Sequence, residues 1–351
     1  MSIDGVRGDA TEITVGQGVS LAKAISYRSI VGELCPGDEV LLNSTAVEKN
    51  LGTGGFHFVM ANLSRFDPGE IGRGHIVKCR YTPVQQTVLA VEEEDNPSRE
   101  ALKSAQTLAG MPVVIGQLHS QLGPAAAAAK RLTHGRCRVA YVMTDSAALP
   151  IAFSRLVHEL REKQIVDITI TAGQAFGGEI EAVNVYTALL AAKAVAEADI
   201  AIVCPGPGNT GTGTAFGFSS IEQGEIVNAV NVLGGEAIAI ARISFADPRP
   251  RHHGLSHHTL TALGRVALTK CNLVLPMMDQ MRLFAVQEQI AHSGISYKHK
   301  VRVLDGKPGI VELQEKGVGM SSMGRGFEDD PEFFLSAAAA GGLAAEILKS
   351  R

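Results

Sequence analysis

The sequence predicts an α/β protein: a small N-terminal β barrel or sandwich, then a doubly wound, mainly parallel, three-layer α/β domain. Two observations carry the prediction. Up to about Tyr81 short β-prone runs alternate with glycine-rich turns, whereas beyond residue 100 apolar runs of strand length alternate with helical patterns. Between them the composition changes at 91–99, where Glu92, Glu93, Glu94, Asp95 and Pro97 cluster, so the domains are placed at 1–90 and 100–351.

In the first part the predicted strands are 12–15, 39–43, 57–61 and 75–80. Gly37-Asp38 turns the chain into the second, and Gly52, Gly54 and Gly55 make a second glycine-rich loop before His57, a hairpin in preference to a lid. In the second part the strands are 112–117, 138–144, 167–172, 200–204, 237–243 and 272–276. The intervening helices are 124–132, 150–162, 180–196, 221–233, 257–268 and 280–292. Small residues in the last segment, after Glu328-Asp329-Asp330, fit a helix that approaches a neighbour closely, in the same chain or between subunits.

Composition excludes several classes. With 351 residues, 45% apolar and 19% charged, the chain has ample material for a core and does not read as disordered. A net charge of -4 offers no general basic field for nucleic acid. Cys35, Cys79, Cys137, Cys204 and Cys271 lie far apart, without the spacing of a zinc or redox motif, and read as reduced thiols of a cytoplasmic protein. The N-terminus lacks a secretory pattern. No membrane span is expected, because Lys193 and Glu197 interrupt one apolar stretch and Gly341 and Gly342 lie in another that is short.

In open parallel sheets ligands bind outside the carboxyl ends of the strands, and the unusual residues of this half follow predicted strands. The loop 205–214 places Gly206, Gly208 and Gly211 at G-x-G-x-x-G spacing, with Asn209, Thr212 and Gly213 beside them, so its amides can face an anion. A dinucleotide is disfavoured: Pro207 removes a donor, and Arg242 stands where a ribose-binding acid belongs. Nor is there a P-loop lysine. A phosphate, a carboxylate or a purely structural loop remain.

The densest cluster is 249–258, Arg-Pro-Arg-His-His-Gly-Leu-Ser-His-His. Arg249 and Arg251 suit phosphate or carboxylate oxygens, and histidine serves as ligand or acid-base group. Ser256 should cap a helix whose apolar stripe runs through Leu260, Leu263, Ala267 and Leu268. His257 and His258 then occupy its first turn, about 100° apart, and are expected to face different ways. Either is a candidate general base, with Asp145 or Asp247 to orient it. A divalent metal would combine one histidine of each pair with a carboxylate from a nearby loop such as Asp145, Glu179 or Asp247; the set named is His253, His257 and Asp247. Gln174, Glu181 and Asn184 add polar positions for the same crevice. Asn184 stands out as an amide inside an apolar predicted helix.

The phrases 171–184, 205–214 and 251–258 together resemble a bacterial family known as domain of unknown function DUF3866, over nearly the whole chain. The resemblance implies a bacterial, cytoplasmic setting and carries over no catalytic residue. The residues themselves favour an enzyme, a hydrolase or transferase, acting on a small phosphorylated or carboxylated metabolite. A non-catalytic ligand sensor, a dinucleotide-binding protein and a structural assembly protein are the other classes. A homo-oligomer, a dimer first, is expected, with no nucleic acid or membrane partner.

Overall fold

A computed structural model describes residues 1–17, 20–65 and 72–351. The first part forms one mixed sheet from β1 (Ser2–Arg7), β2 (Ala10–Gln17), β3 (Ser20–Tyr27), β4 (Val40–Asn43) and β5 (His57–Asn62), in the order β1-β2-β3-β5-β4. Only β3 and β5 pair parallel. Its own small core comprises Ile13, Val15, Ala24, Val31, Leu34 and Val59. Neither β1 nor β3 shows as a strand in sequence. The first is exposed along almost its whole length, and the second buries only its final residues, so neither alternates cleanly.

A hairpin, Ile76–Lys78 with Gln86–Val88, leads on toward the larger part. The acidic stretch is not a free linker: Ala90 bridges Glu181, and the Val91 amide donates to the Glu181 carbonyl. Lys78 is also buried against the larger part, its Nζ donating to the Ala175 and Ala182 carbonyls at 3.1 and 2.9 Å.

Long apolar runs buried on both faces must pair on both edges and be covered on both sides, which makes them central parallel strands. Six such runs, β6 (Pro112–Ile115), β7 (Val139–Thr144), β8 (Ile168–Ala172), β10 (Ile200–Pro205), β11 (Glu236–Ile240) and β12 (Asn272–Pro276), are joined by two edge strands, β9 (Ile180–Ala182) and β13 (Lys300–Leu304). The order is β9-β8-β7-β10-β6-β11-β12-β13, parallel throughout. The two edge strands, β9 and β13, are the ones the apolar pattern missed. Both carry charged residues and are only partly covered.

The principal helices are α1 (Leu122–Leu132), α2 (Arg155–Glu162), α3 (Val185–Ala194), α4 (Glu222–Val232), α5 (His257–Thr261), α6 (Gln280–Ser293), α7 (Lys307–Glu315) and α8 (Pro331–Lys349). One apolar cluster joins Val113, Val142 and Leu273 of the sheet to α3, α4 and α6. Another joins Val114, Tyr141 and Ile202 to α1, α2, α7 and α8.

By length and composition α8 could cross a bilayer, yet 72% of its apolar window is buried in this fold. A Cβ on Gly341 would overlap the Ala125 carbonyl of α1, so the small residues serve a close contact within one chain.

Two local expectations fail for identifiable reasons. The α3 helix starts only at Val185, because Asn184 is its cap: Oδ1 accepts from the Tyr186 and Thr187 amides at 2.9 and 3.2 Å. The α2 helix starts at Arg155 under a Ser154 cap, after a short turn at Ile151–Phe153, so neither Asp145 nor Ser146 caps it.

Candidate functional site

The glycine-rich loop and the histidine-arginine segment follow β10 and β11, and they touch. A Cβ on Gly211 would stand 2.9 Å from His258 Cε1 and 3.3 Å from its Nε2, so the absence of a side chain there lets the ring approach. Phe218, at the far end of the same loop, stacks on His258 with centroids 3.9 Å apart and planes 6° from parallel.

Ser256 caps α5 as expected, its Oγ accepting from the His258 amide at 3.2 Å. The rings of His257 and His258 nevertheless meet, with centroids 4.3 Å apart, and His252 joins them at 5.2 and 4.9 Å. The expected divergence does not hold. Side chains in a first turn have no preceding turn to restrict χ1, so adjacent rings can swing together. After α5 the helix widens through a π-type turn at Ala262–Val266, which breaks the predicted stripe and leaves Leu268 80% exposed.

Around this cluster lies a network of guanidiniums. Asp247, its side chain fully buried, accepts from Arg249 Nε at 2.8 Å and Nη2 at 2.7 Å, with Arg325 Nη2 at 3.4 Å and Arg242 Nη2 at 4.0 Å. Ser244 Oγ accepts from the Asp247 amide and donates to Asp330 Oδ2 at 2.7 Å, and Asp330 pairs with Arg325. Burial acts to raise the Asp247 carboxyl, but the Arg249 side chain and amide outweigh it and hold the group well below the usual carboxylate range. Asp247 therefore holds arginines in place. It neither orients a histidine nor stands free for a metal.

The named metal set is not assembled. His253 is exposed, with its ring edge-on to Phe245, while His252 takes the inward place. One ring nitrogen each of His252, His257 and His258 does lie within 4.8 Å of the others, a spacing that could hold an ion. The chemistry of these nitrogens does not suit a cation. Arg242 Nη1 lies 3.0 Å from His258 Nδ1, and a guanidinium only donates, so Nδ1 accepts and the proton sits on Nε2. That leaves His258 Nε2 as a donor without a free lone pair. Metal-bound histidines normally set the opposite polarity, giving their second N–H to an acceptor.

All three imidazoles are held neutral. Burial and then Arg242 push His252 down to about 3 and His258 lower still; burial and then Arg251 depress His257. Three buried nitrogens, Arg251 Nε, His257 Nε2 and His258 Nε2, have no hydrogen-bond partner among the described residues. Two of them, Arg251 Nε and His258 Nε2, are donors.

The glycine-rich loop contributes less than its motif predicts. Thr212 donates its amide to the Gly217 carbonyl, and Asn209 Oδ1 accepts from Ser219 Oγ and the Ser220 amide. Gly208 adopts φ +102°, which glycine alone takes readily. Gly206 packs against the Ala148 carbonyl, and Gly213 faces open space.

The remaining predicted residues stand apart from the histidines, at the ends of β7, β8 and β9. Asp145 accepts from the Gln174 amide at 2.7 Å, and Glu179 pairs with Arg161. Glu181 accepts from Thr171 Oγ1 and the Gly177 amide and lies 3.5 Å from Lys78 Nζ. Asp145 and Asn184 line a cavity of about 400 Å³ that also contains Glu222. Glu222 has no distinctive sequence signal. Burial lifts its carboxyl to about 7, against hydrogen bonds from Thr144 and Ser146 at 2.6 and 2.8 Å. Arg325, Asp330 and Phe218 carry no site signal in the sequence either, whereas Arg242 carries one, standing in place of a ribose-binding acid.

No curated protein and no solved structure matches the chain significantly. Residues 23–341 match the family model described as Protein of unknown function (DUF3866), and the chain belongs to that family.

Proposed function

We propose that this protein is an enzyme acting by hydrolysis or group transfer on a small metabolite that carries a phosphate or carboxylate. The oxyanion is bound beside the carboxyl ends of β10 and β11 by Arg251 and His258, with Arg242 fixing the His258 tautomer. His257, neutral and partly accessible, is the general base that takes the proton of the attacking water or hydroxyl. One observation carries the reading: buried nitrogens of Arg251, His257 and His258 without a partner gather inside a set of guanidiniums, where an oxygen ligand would satisfy them. An imidazole whose proton is turned away from an arginine and into the cluster is a donor aimed at an acceptor.

We also read the large sheet as doubly wound. Neighbouring strands β6 and β10 continue into α1 and α4, which belong to different apolar clusters, and the loops that follow such a pair part to leave a crevice. The glycine-rich loop begins at that point.

Isothermal titration of the purified protein with inorganic phosphate and with acetate tests the site. Arg251→Gln should weaken binding of whichever anion binds by about tenfold or more, the scale of one charge-assisted hydrogen bond. If neither anion binds the native protein, or Arg251→Gln binds as well as wild type, the site assignment is wrong. A panel of small phosphoric and carboxylic esters then separates enzyme from sensor: binding without turnover supports the sensor class.

A further inference from the structure

The charges around the site are unbalanced. Arg242, Arg249 and Arg325 surround Asp247 and Asp330, and Arg251 lies close enough to act on Arg242 and on the histidines, so these six groups carry a surplus of two positive charges to which the neutral histidines add none. A carboxylate would balance half of that surplus; a phosphoryl dianion balances all of it.

A second observation comes from the C-terminal hairpin, Ser321–Ser322 with Arg325–Gly326. At its tip the Met323 sulfur lies 3.6 Å from Arg242 Nη2 and 3.5 Å from Arg249 Nη2. A thioether is a weak acceptor, so two guanidinium donors converge on a group that satisfies them poorly. Met323 and Gly324 both take left-handed φ, +50° and +78°, as a two-residue hairpin turn requires, which sets the Met323 side chain at the tip, 47% exposed. The hairpin is tied down on its other side by Ser120 Oγ donating to Ser322 Oγ at 2.9 Å.

We propose that the arginine-histidine cluster takes a phosphoryl dianion and that Met323 is its displaceable cover, the sulfur standing between Arg242 and Arg249 where phosphoryl oxygens bind. The inference rests on the oxyanion-site reading and adds two things to it: a charge class for the ligand and a moving part. Arg242 links both, since one of its nitrogens bonds His258 and the other meets the sulfur. When the anion enters, the Met323 sulfur withdraws from the two guanidiniums and phosphoryl oxygens take its place.

The test compares inorganic phosphate and sulfate with acetate at pH 7.5 by isothermal titration, on wild type and Met323→Ala, with the Met323 ε-methyl resonance followed by NMR. Phosphate and sulfate should bind about tenfold or more tightly than acetate, because a second charge near a guanidinium is only partly screened there. Met323→Ala, at a half-exposed position, should tighten phosphate by a few-fold, and the methyl resonance should move on titration. Acetate binding as well as phosphate would overturn the dianion and leave the oxyanion site standing. An unmoved methyl resonance, or Met323→Ala that weakens phosphate, would overturn the cover. Absence of binding by all three anions would remove both the inference and the reading beneath it.

Discussion

Gly211→Ala offers a direct test of how the two loops are joined. The new methyl would lie 2.9 Å from His258 Cε1, whereas carbon atoms pack comfortably at about 3.5–4.0 Å, so the ring must retreat by roughly 0.6–1 Å. It has little room to do so, stacked on Phe218 at 3.9 Å and bonded by Arg242 at 3.0 Å. Overpacking of this kind costs about 2 kcal/mol, which corresponds to a fall of about 3 °C in Tm for a protein of this size. The larger effect should fall on the ligand. A shift of that size breaks the hydrogen bond from Nε2, so phosphate affinity should drop about tenfold or more. Differential scanning fluorimetry and titration calorimetry read the two effects, and Gly213→Ala is the control, since its Cβ meets nothing within 4 Å. If Gly211→Ala melts and binds as Gly213→Ala does, the contact between glycine loop and histidine is not what organises the site.

Asp247→Asn removes the anion that holds Arg249 and Arg325, and should destabilise by about 3–5 kcal/mol, measured by urea unfolding at pH 7. The depressed carboxyl contributes stability that is complete above the unfolded-state pKa, near about 4, and is lost as pH falls below it, so the gap between variant and wild type should shrink in acid. Glu222 has the opposite sign: its carboxyl is raised to about 7, so wild-type stability should fall as pH rises from about 4 toward 7, by up to about 1.4 kcal/mol per unit. Glu222→Gln should gain on wild type across that window, and a difference that stays constant from pH 5 to 8 would show that Glu222 titrates normally.

Most of the large sheet was legible because a strand buried on both faces leaves a continuous apolar run with few alternatives. Edge strands were not, since Ile180–Ala182 and Lys300–Leu304 are short, charged and half-covered. Asn184 shows how one misplaced boundary alters chemistry. Within a helix extended back to residue 180 it was an amide in need of a functional partner; with the helix starting at Val185 it is a cap whose oxygen is fully used. The site was legible only where it is local. The histidine-arginine segment and glycine loop stand out by composition, but Arg325, Asp330 and Met323 lie some eighty residues further on and are brought in by the fold. The choice of His252 over His253 depends on a short turn at Pro250–His252 that composition does not announce.

The polarity of the cluster follows from the same long-range assembly. Four histidines in ten residues are compatible with a cation site or an anion site, because a neutral imidazole offers one lone pair and one N–H and either can face inward. What decides is the group behind the ring. A carboxylate or carbonyl behind His258 would take its Nδ1 proton and turn the Nε2 lone pair inward, toward a metal. Arg242 does the reverse, and since a guanidinium cannot surrender its donor role near neutral pH, the inward nitrogen stays protonated. Arg242→Gln separates these cases, because a side-chain amide can present either its oxygen or its nitrogen to Nδ1. That variant should lose phosphate affinity and acquire measurable zinc binding at His252, His257 and His258, whereas wild type should take up zinc weakly. Equal zinc affinity in the two proteins would mean that Arg242 does not set the tautomer, and the anion reading would lose its chemical basis.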